Sequence, residues 1–286
     1  MKMRIGLGAA AVLLSAAALR GWDLARRHQD LIHAGRARAA NLSLLLAGYL
    51  QGRFAAADAS LRQLALHSQR IGGRAAPDAE WLPSLHAAGA GLAAVGAVSV
   101  VDSGGIIRHS TQPRILGQSR RSDYLVRRLA SESTDVLVAS EPFRTVAGRS
   151  GFIIPLGRRL TDGEGRFAGI VAASFVLDSV RRFFREADVG HDGMVWVFHP
   201  SGVVLVREPS DSDPMGETAR ENPISRAAPL PNGAAVVRTR LSRDRPVLIT
   251  GLRALAEPRL TVAVSLSEPE LAGGVAAGQP AHRHSR

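Results

Sequence analysis

A chain of 286 residues with 45% hydrophobic and 21% charged residues is long enough for one large or two modest domains, and too apolar to stay disordered. The formal charge of +11 is carried almost wholly by arginine, Lys2 being the only lysine; with 5% aromatic residues and no dense basic run, no nucleic-acid partner is expected. The lack of cysteine excludes disulfides, thiolate metal sites and cysteine nucleophiles.

Lys2 and Arg4 precede an uncharged stretch from Ile5 to Leu19, closed by Arg20. Fifteen residues is short for a spanning helix, which takes about 20. A cleaved signal peptide ending near Ala16–Ala18 and an uncleaved anchor both fit; the helical pattern running on past Arg20 favours the anchor. From Leu24 to Arg70 apolar residues recur at helical spacing. Leu24, Leu31 and Leu45 share a heptad register that Arg38 interrupts, and Leu42, Leu46, Leu50, Phe54, Ala57, Leu61 and Leu64 continue a stripe at spacings of three and four. Such a stripe packs on a core, dimerises as a stalk, or does both.

Glycine and proline between Ile71 and Pro77 break this helix, and a shorter one is expected from Asp78 to about Ala88. The period then changes to that of strands. Ala94–Val101 and Ile106–Ser110 flank the turn Asp102-Ser103-Gly104-Gly105, a hairpin signature. A short helix is expected at Ser122–Ser131, a strand at Asp135–Ala139, and a longer hairpin at Phe152–Leu160 and Arg166–Leu177 around Asp162-Gly163-Glu164-Gly165. Of Arg158 and Arg159, one is expected to point inward in a structural role. Asp178–Ala187 reads as a helix with Val180, Phe183, Phe184 and Ala187 on one face. The order then repeats: strands at Met194–Phe198 and Val203–Arg207, a loop-rich stretch with a short helix near Thr218–Arg226, and strands at 234–241, 247–252 and 260–266. The expected fold is α+β: a long N-terminal helix, then two lobes, each a central antiparallel sheet with flanking helices.

Residues 98–209 resemble the double Cache family, PAS-like extracytoplasmic sensors found at the N-terminus of bacterial chemoreceptors, histidine kinases and diguanylate cyclases. The resemblance rests on Val101-Asp102-Ser103-Gly104-Gly105, Leu116-Gly117, Arg121-Ser122-Asp123-Tyr124-Leu125, Ser140-Glu141-Pro142, the run Arg158 to Val171, Val189-Gly190, Ser201-Gly202 and Arg207-Glu208-Pro209. It implies residues 1–22 as signal anchor, 23–92 as stalk and second helix, 93–189 as membrane-distal lobe, 190–266 as membrane-proximal lobe and 267–286 as a polar tail or truncated exit helix. It also implies a small ligand in the distal lobe, held by Arg121, Asp123, Tyr124, Ser140 and Ser174. Arg121 stands at the family's carboxylate-binding arginine and Tyr124 at its second aromatic. Asp123 replaces an aromatic, and Ser174 replaces the acid that meets a ligand's amine, so a carboxylate is favoured over a plain amino acid.

No other constellation is expected to carry chemistry. His109, His191 and His199 lie far apart, and His191 and His199 are read as exposed loop residues. Ser150 and Ser201 lack a hydrolase elbow, and no phosphate loop occurs. No catalytic residue, metal or cofactor is expected, and a homodimer through the long helix is. The leading expectation is a sensing module in the inner membrane with its bulk in the periplasm; the competing one is an exported anchored adaptor using its lobes for protein contacts. A concave pocket with convergent polar groups in the first lobe favours the sensor, a filled first lobe the adaptor.

Overall fold

The computed structural model describes residues 2–92, 95–144, 152–209, 216–228 and 233–273, with side chains described from residue 18 onward except at 74, 144 and 179. Helix α1 runs unbroken from Lys2 to Arg70, and α2 covers Asp78–Ala90. Strands β1 (Val95–Asp102) and β2 (Ile107–Ser110) form the first hairpin, followed by α3 (Tyr124–Ser131). The short strands β3 (Val138–Ala139) and β4 (Phe143–Arg144) lead to β5 (Phe152–Thr161), β6 (Phe167–Val176) and α4 (Asp178–Arg185). The second lobe holds β7 (Met194–Phe198), β8 (Val204–Glu208), α5 (Pro223–Arg226), β9 (Ala234–Arg240), β10 (Val247–Ala254), β11 (Thr261–Ser267) and α6 (Glu268–Gly273). The expected tail over 267–286 thus begins as the end of β11 and a short helix; residues 274–286 lie outside the described ones. Among the described residues no helix is long and apolar enough to cross a membrane, and most of the anchor expected over residues 1–22 falls where side chains are not described.

The first sheet has the order β2-β1-β6-β5-β3 with β4 also on β5, and the second β8-β7-β11-β10-β9, all neighbours antiparallel. Each sheet puts one face against α1. Alternation along β6 sends Val171, Ala173 and Phe175 to a core shared with Leu50, Phe54, Ala57, Leu61 and Leu64. The helical stripe is therefore spent largely on the core of its own chain, while Leu24 and Leu45 stand 72% and 65% exposed. Gly251 lets α1 come close: a side chain there would strike the Ala39 backbone.

Two polar clusters join the lobes. Arg158, on the α1 side of β5, is fully buried, and its guanidinium donates to Asp58 of α1 and to Asp135. The carboxylate of Glu257, in the β10–β11 turn of the second lobe, lies 3.6 Å from Arg158 and accepts the Leu137 amide at 3.2 Å, while the Glu257 carbonyl accepts the Gln51 side chain at 2.9 Å. The second cluster corrects an expectation: His199 is buried, 3% exposed, because its turn is pressed against the free edge of β3. Its Nε2 lies 3.1 Å from the Ala139 carbonyl and therefore carries the proton, leaving Nδ1 to accept from the Ser201 amide at 3.1 Å. The Ser201 hydroxyl lies 2.7 Å from Nδ1 and 2.8 Å from Glu141. One hydroxyl proton is thus claimed by two acceptors while His199 is neutral.

Two expectations follow. Asp58→Ala deprives a buried guanidinium of its more buried partner and lowers unfolding free energy by about 3 kcal/mol, whereas Asp135→Ala, at an exposed carboxylate, costs about 1 kcal/mol or less; chemical denaturation of both variants checks the ratio. Burial lowers the pKa of His199 below 6.5, outweighing the Ala139 bond and the Glu141 charge that raise it. The unfolded chain then takes up the proton first, so this contribution to stability is complete above pH 6.5 and is lost as pH falls below it. The thermal midpoint drops by up to about 4 °C per pH unit there, and His199→Gln makes the slope shallower. An equal slope in the variant assigns the loss to other groups.

Candidate functional site

The face of the first sheet turned away from α1 carries Ser99 and Val101 from β1, Ile170, Ala172 and Ser174 from β6, and Pro155 from β5, the alternate residues to those in the core. Helix α3 lies over it. Gly157 has no side chain, so Leu125 of α3 seats directly on β5. Between helix and sheet is a cavity of about 70 Å³, room for about two waters, onto which Arg120, Asp123, Ser99, Ser140 and Ser174 bring polar groups.

Of the five residues expected at the site, the structure brings Asp123, Ser140 and Ser174 to this cavity. Arg121 is elsewhere. Its Nε donates to the Gly104 carbonyl at 3.1 Å, and its backbone packs so closely on Gly105 that a side chain there has no room; the positive φ of 81° at Gly105 also calls for glycine. The residue that lines the cavity is Arg120. Its Nη2 donates to Gln118 at 3.1 Å, its guanidinium stands 5.7 Å from the Phe143 ring, and its Nη1 lies 3.7 Å from the Asp123 carboxylate. The reason is local. Residues 121–123 form a turn and α3 begins only at Tyr124, two residues later than expected, so neighbouring arginines diverge. Asp123 stands at the N-cap of α3 without making a cap bond; burial against the cavity raises its pKa, and Arg120 and Arg127 partly offset the rise.

Tyr124 faces a different space. Its ring meets His199 edge-on at 5.0 Å, and it lines a cleft of about 290 Å³ between the lobes with Arg128, Glu132, Glu257 and Arg259. Arg128 of α3 pairs at 2.5 Å with Glu132, the residue that ends the helix. Among the described residues, His191, Asp192 and Glu270 bring three donor atoms within 4.8 Å of one another. Both oxygens of Glu270 already accept the amides of His191 and Asp192, at 3.1 and 2.9 Å, which makes it a loop clamp.

No family model and no curated protein matches the chain. Solved structures do. A protein described as a histidine kinase, rpHK1S-Z16, has an extracellular domain that aligns with a TM-score of 0.71 at 20% identity, covering 87% of this chain and 99% of that one. The periplasmic sensory domain of the Campylobacter jejuni chemoreceptor Tlp1 aligns with a TM-score of 0.64 at 8% identity, over 84% and 98%. The ligand-binding domain of the Pseudomonas aeruginosa amino-acid chemoreceptor PctC, solved with GABA, gives 0.54 at 18% identity, over 84% and 100%. With its long helix and two antiparallel sheets in series, the chain has the double-Cache fold of these extracellular and periplasmic sensory domains.

Proposed function

We propose that this chain is the extracytoplasmic sensing module of a membrane-bound bacterial signalling protein, and that it binds a small carboxylate in the distal lobe. The observation that carries this reading is the convergence of Arg120, Asp123, Ser99, Ser140 and Ser174 on one cavity beneath α3. Arg120 is the residue suited to a carboxylate, since a guanidinium offers two parallel donors to two oxygens. Asp123 is suited to a ligand's amine where there is one, so the acid missing at Ser174 has a counterpart on the opposite wall. The solved neighbours support the class of ligand: one was determined with GABA, another with asparagine, a third with L-Gln. The apolar stretch Ile5–Leu19 supports anchoring at the N-terminus, which would leave the lobes outside the cytoplasm.

The small volume of the cavity favours a second reading, the exported adaptor whose lobes serve protein contacts. One screen separates the two. A bound ligand raises the thermal midpoint by mass action, so carboxylates and amino acids are tested by thermal shift without a prior choice. The sensor gives a saturable shift; its absence across both classes favours the adaptor. For the hit, Arg120→Ala weakens binding about ten- to a hundredfold, the worth of one charge-assisted hydrogen bond, while Arg121→Ala leaves it within about threefold. The opposite order would return the clamp to Arg121.

The homodimer is proposed through the heptad register of α1 that the core leaves free, marked by Leu24 and Leu45 at 72% and 65% exposed. Leu45→Asp lowers the dimer fraction of the detergent-solubilised chain in sedimentation, with helix content unchanged. An unaltered dimer fraction removes this face from the interface.

A further inference from the structure

We propose that the end of the molecule nearest the start of α1 is a docking surface for the headgroups of anionic phospholipids; this rests on the membrane-anchored reading above. Residues 18–30 of α1 are exposed on every side, free of the body of the protein. Within them Leu19, Trp22 and Leu24 are 65%, 62% and 72% exposed, and the Arg26 guanidinium lies 5.4 Å from the Trp22 ring. Large apolar side chains standing in water beside arginines are at home in the interfacial layer, where a tryptophan ring sits among headgroups.

A second element reaches the same level. A side chain at Gly35 would meet Ile249 of β10, and one at Gly251 would meet Ala39, so β10 runs alongside α1 in the same direction. Followed back from Ile249, the chain descends to the β9–β10 turn over about 10–15 Å. At about 1.5 Å per residue, that brings the turn level with residues 25–28 of α1, roughly 10 Å from Leu19. This is about one Debye length at 0.1 M salt, so the turn's charges are felt at a bilayer whose edge lies near Leu19. The turn and the last residue of β9 before it display Arg240, Arg243 and Arg245, all exposed. With Arg20, Arg26 and Arg27 there are six arginines against three carboxylates, Asp23, Asp30 and Asp244. Asp23 is paired with Arg27 at 2.9 Å, and Asp244 accepts from Ser242 at 2.6 Å. The surplus is positive, on the start of a helix and on the end of the sheet packed beside it, both turned toward one plane. A phosphodiester surface fits both the charge and the geometry, and holds the proximal lobe at a fixed height above the bilayer.

The test uses the full chain in lipid nanodiscs of phosphatidylcholine alone, and with a third of the lipid replaced by phosphatidylglycerol, read by hydrogen exchange. Each basic residue near an anionic surface contributes about fivefold to association. Amides of residues 238–247 are expected to exchange at least about fivefold more slowly in the anionic discs, with the difference erased by high salt and by combining Arg240→Ser, Arg243→Ser and Arg245→Ser. Equal exchange in both discs, with the chain seated in both, overturns the headgroup surface and leaves the anchor standing. A chain that enters neither disc overturns the anchor, and the surface with it. The parent protein alone decides between these outcomes, so the conclusion survives a variant that folds poorly.

Discussion

The fold depends on one buried guanidinium. Arg158 is inaccessible to solvent, and the three acidic side chains around it come from three separate parts of the chain: Asp58 from α1, Asp135 from the segment before β3, and Glu257 from the second lobe. Taking a charge of that size out of water costs several kcal/mol. The arrangement survives only if its partners stay in place, which ties the long helix and both sheets to a common point. Burial pulls the guanidinium's pKa down, and Asp58 and Asp135 more than restore it, so the group stays charged. One of its nitrogens, Nη2, has no hydrogen bond among the described residues, with Glu257 at 3.6 Å. That contact to the second lobe is the loosest of the three, and a small shift between the lobes falls on it first.

Much of this architecture is legible in the sequence because it rests on short-range rules. The hairpin at Asp102-Ser103-Gly104-Gly105 follows from turn chemistry, and the two-residue period of β6 follows from a strand with one face on the core. The stripe from Leu42 to Leu64 reads as a packing face and is one. The inward arginine of the Arg158-Arg159 pair also reads correctly, since apolar neighbours two residues away share its face. Its partners do not: Asp58 and Glu257 lie 100 and 99 positions away, and no local pattern joins them.

The site is less legible for a different reason. Arg120 and Arg121 are chemically identical, and only the backbone between Leu116 and Tyr124 decides which faces the cavity. A helix beginning at Ser122 would give one answer; a turn over 121–123 gives the other. His199 reads as exposed because a histidine in a His-Pro-Ser-Gly turn looks solvated. It is buried by β3, whose place at the edge of the first sheet leaves backbone groups, there and at Leu137 just before it, that the second lobe supplies with partners. The signal that existed was the glutamate after Ser140, which makes a buried polar partner for that turn reasonable.

The same strand explains why the cavity and the helix belong to one mechanical unit. Along β5, Pro155 and Gly157 face the cavity and α3, while Leu156 and Arg158 face α1. The cavity and the long helix are therefore separated by the thickness of one strand. Leu125 rests on Gly157 with no intervening side chain, so α3 cannot move closer to the sheet without pushing on the backbone that positions Arg158. At the start of the same helix, Tyr124 meets His199 of the second lobe. A displacement of α3 toward the sheet presses on β5, whose other face packs on the long helix, and Tyr124 carries α3 into contact with the second lobe. The loss of a cap bond at Asp123 leaves the first turn of α3 less firmly held than a capped helix start, which places the most easily moved end of that helix at the polar wall of the cavity.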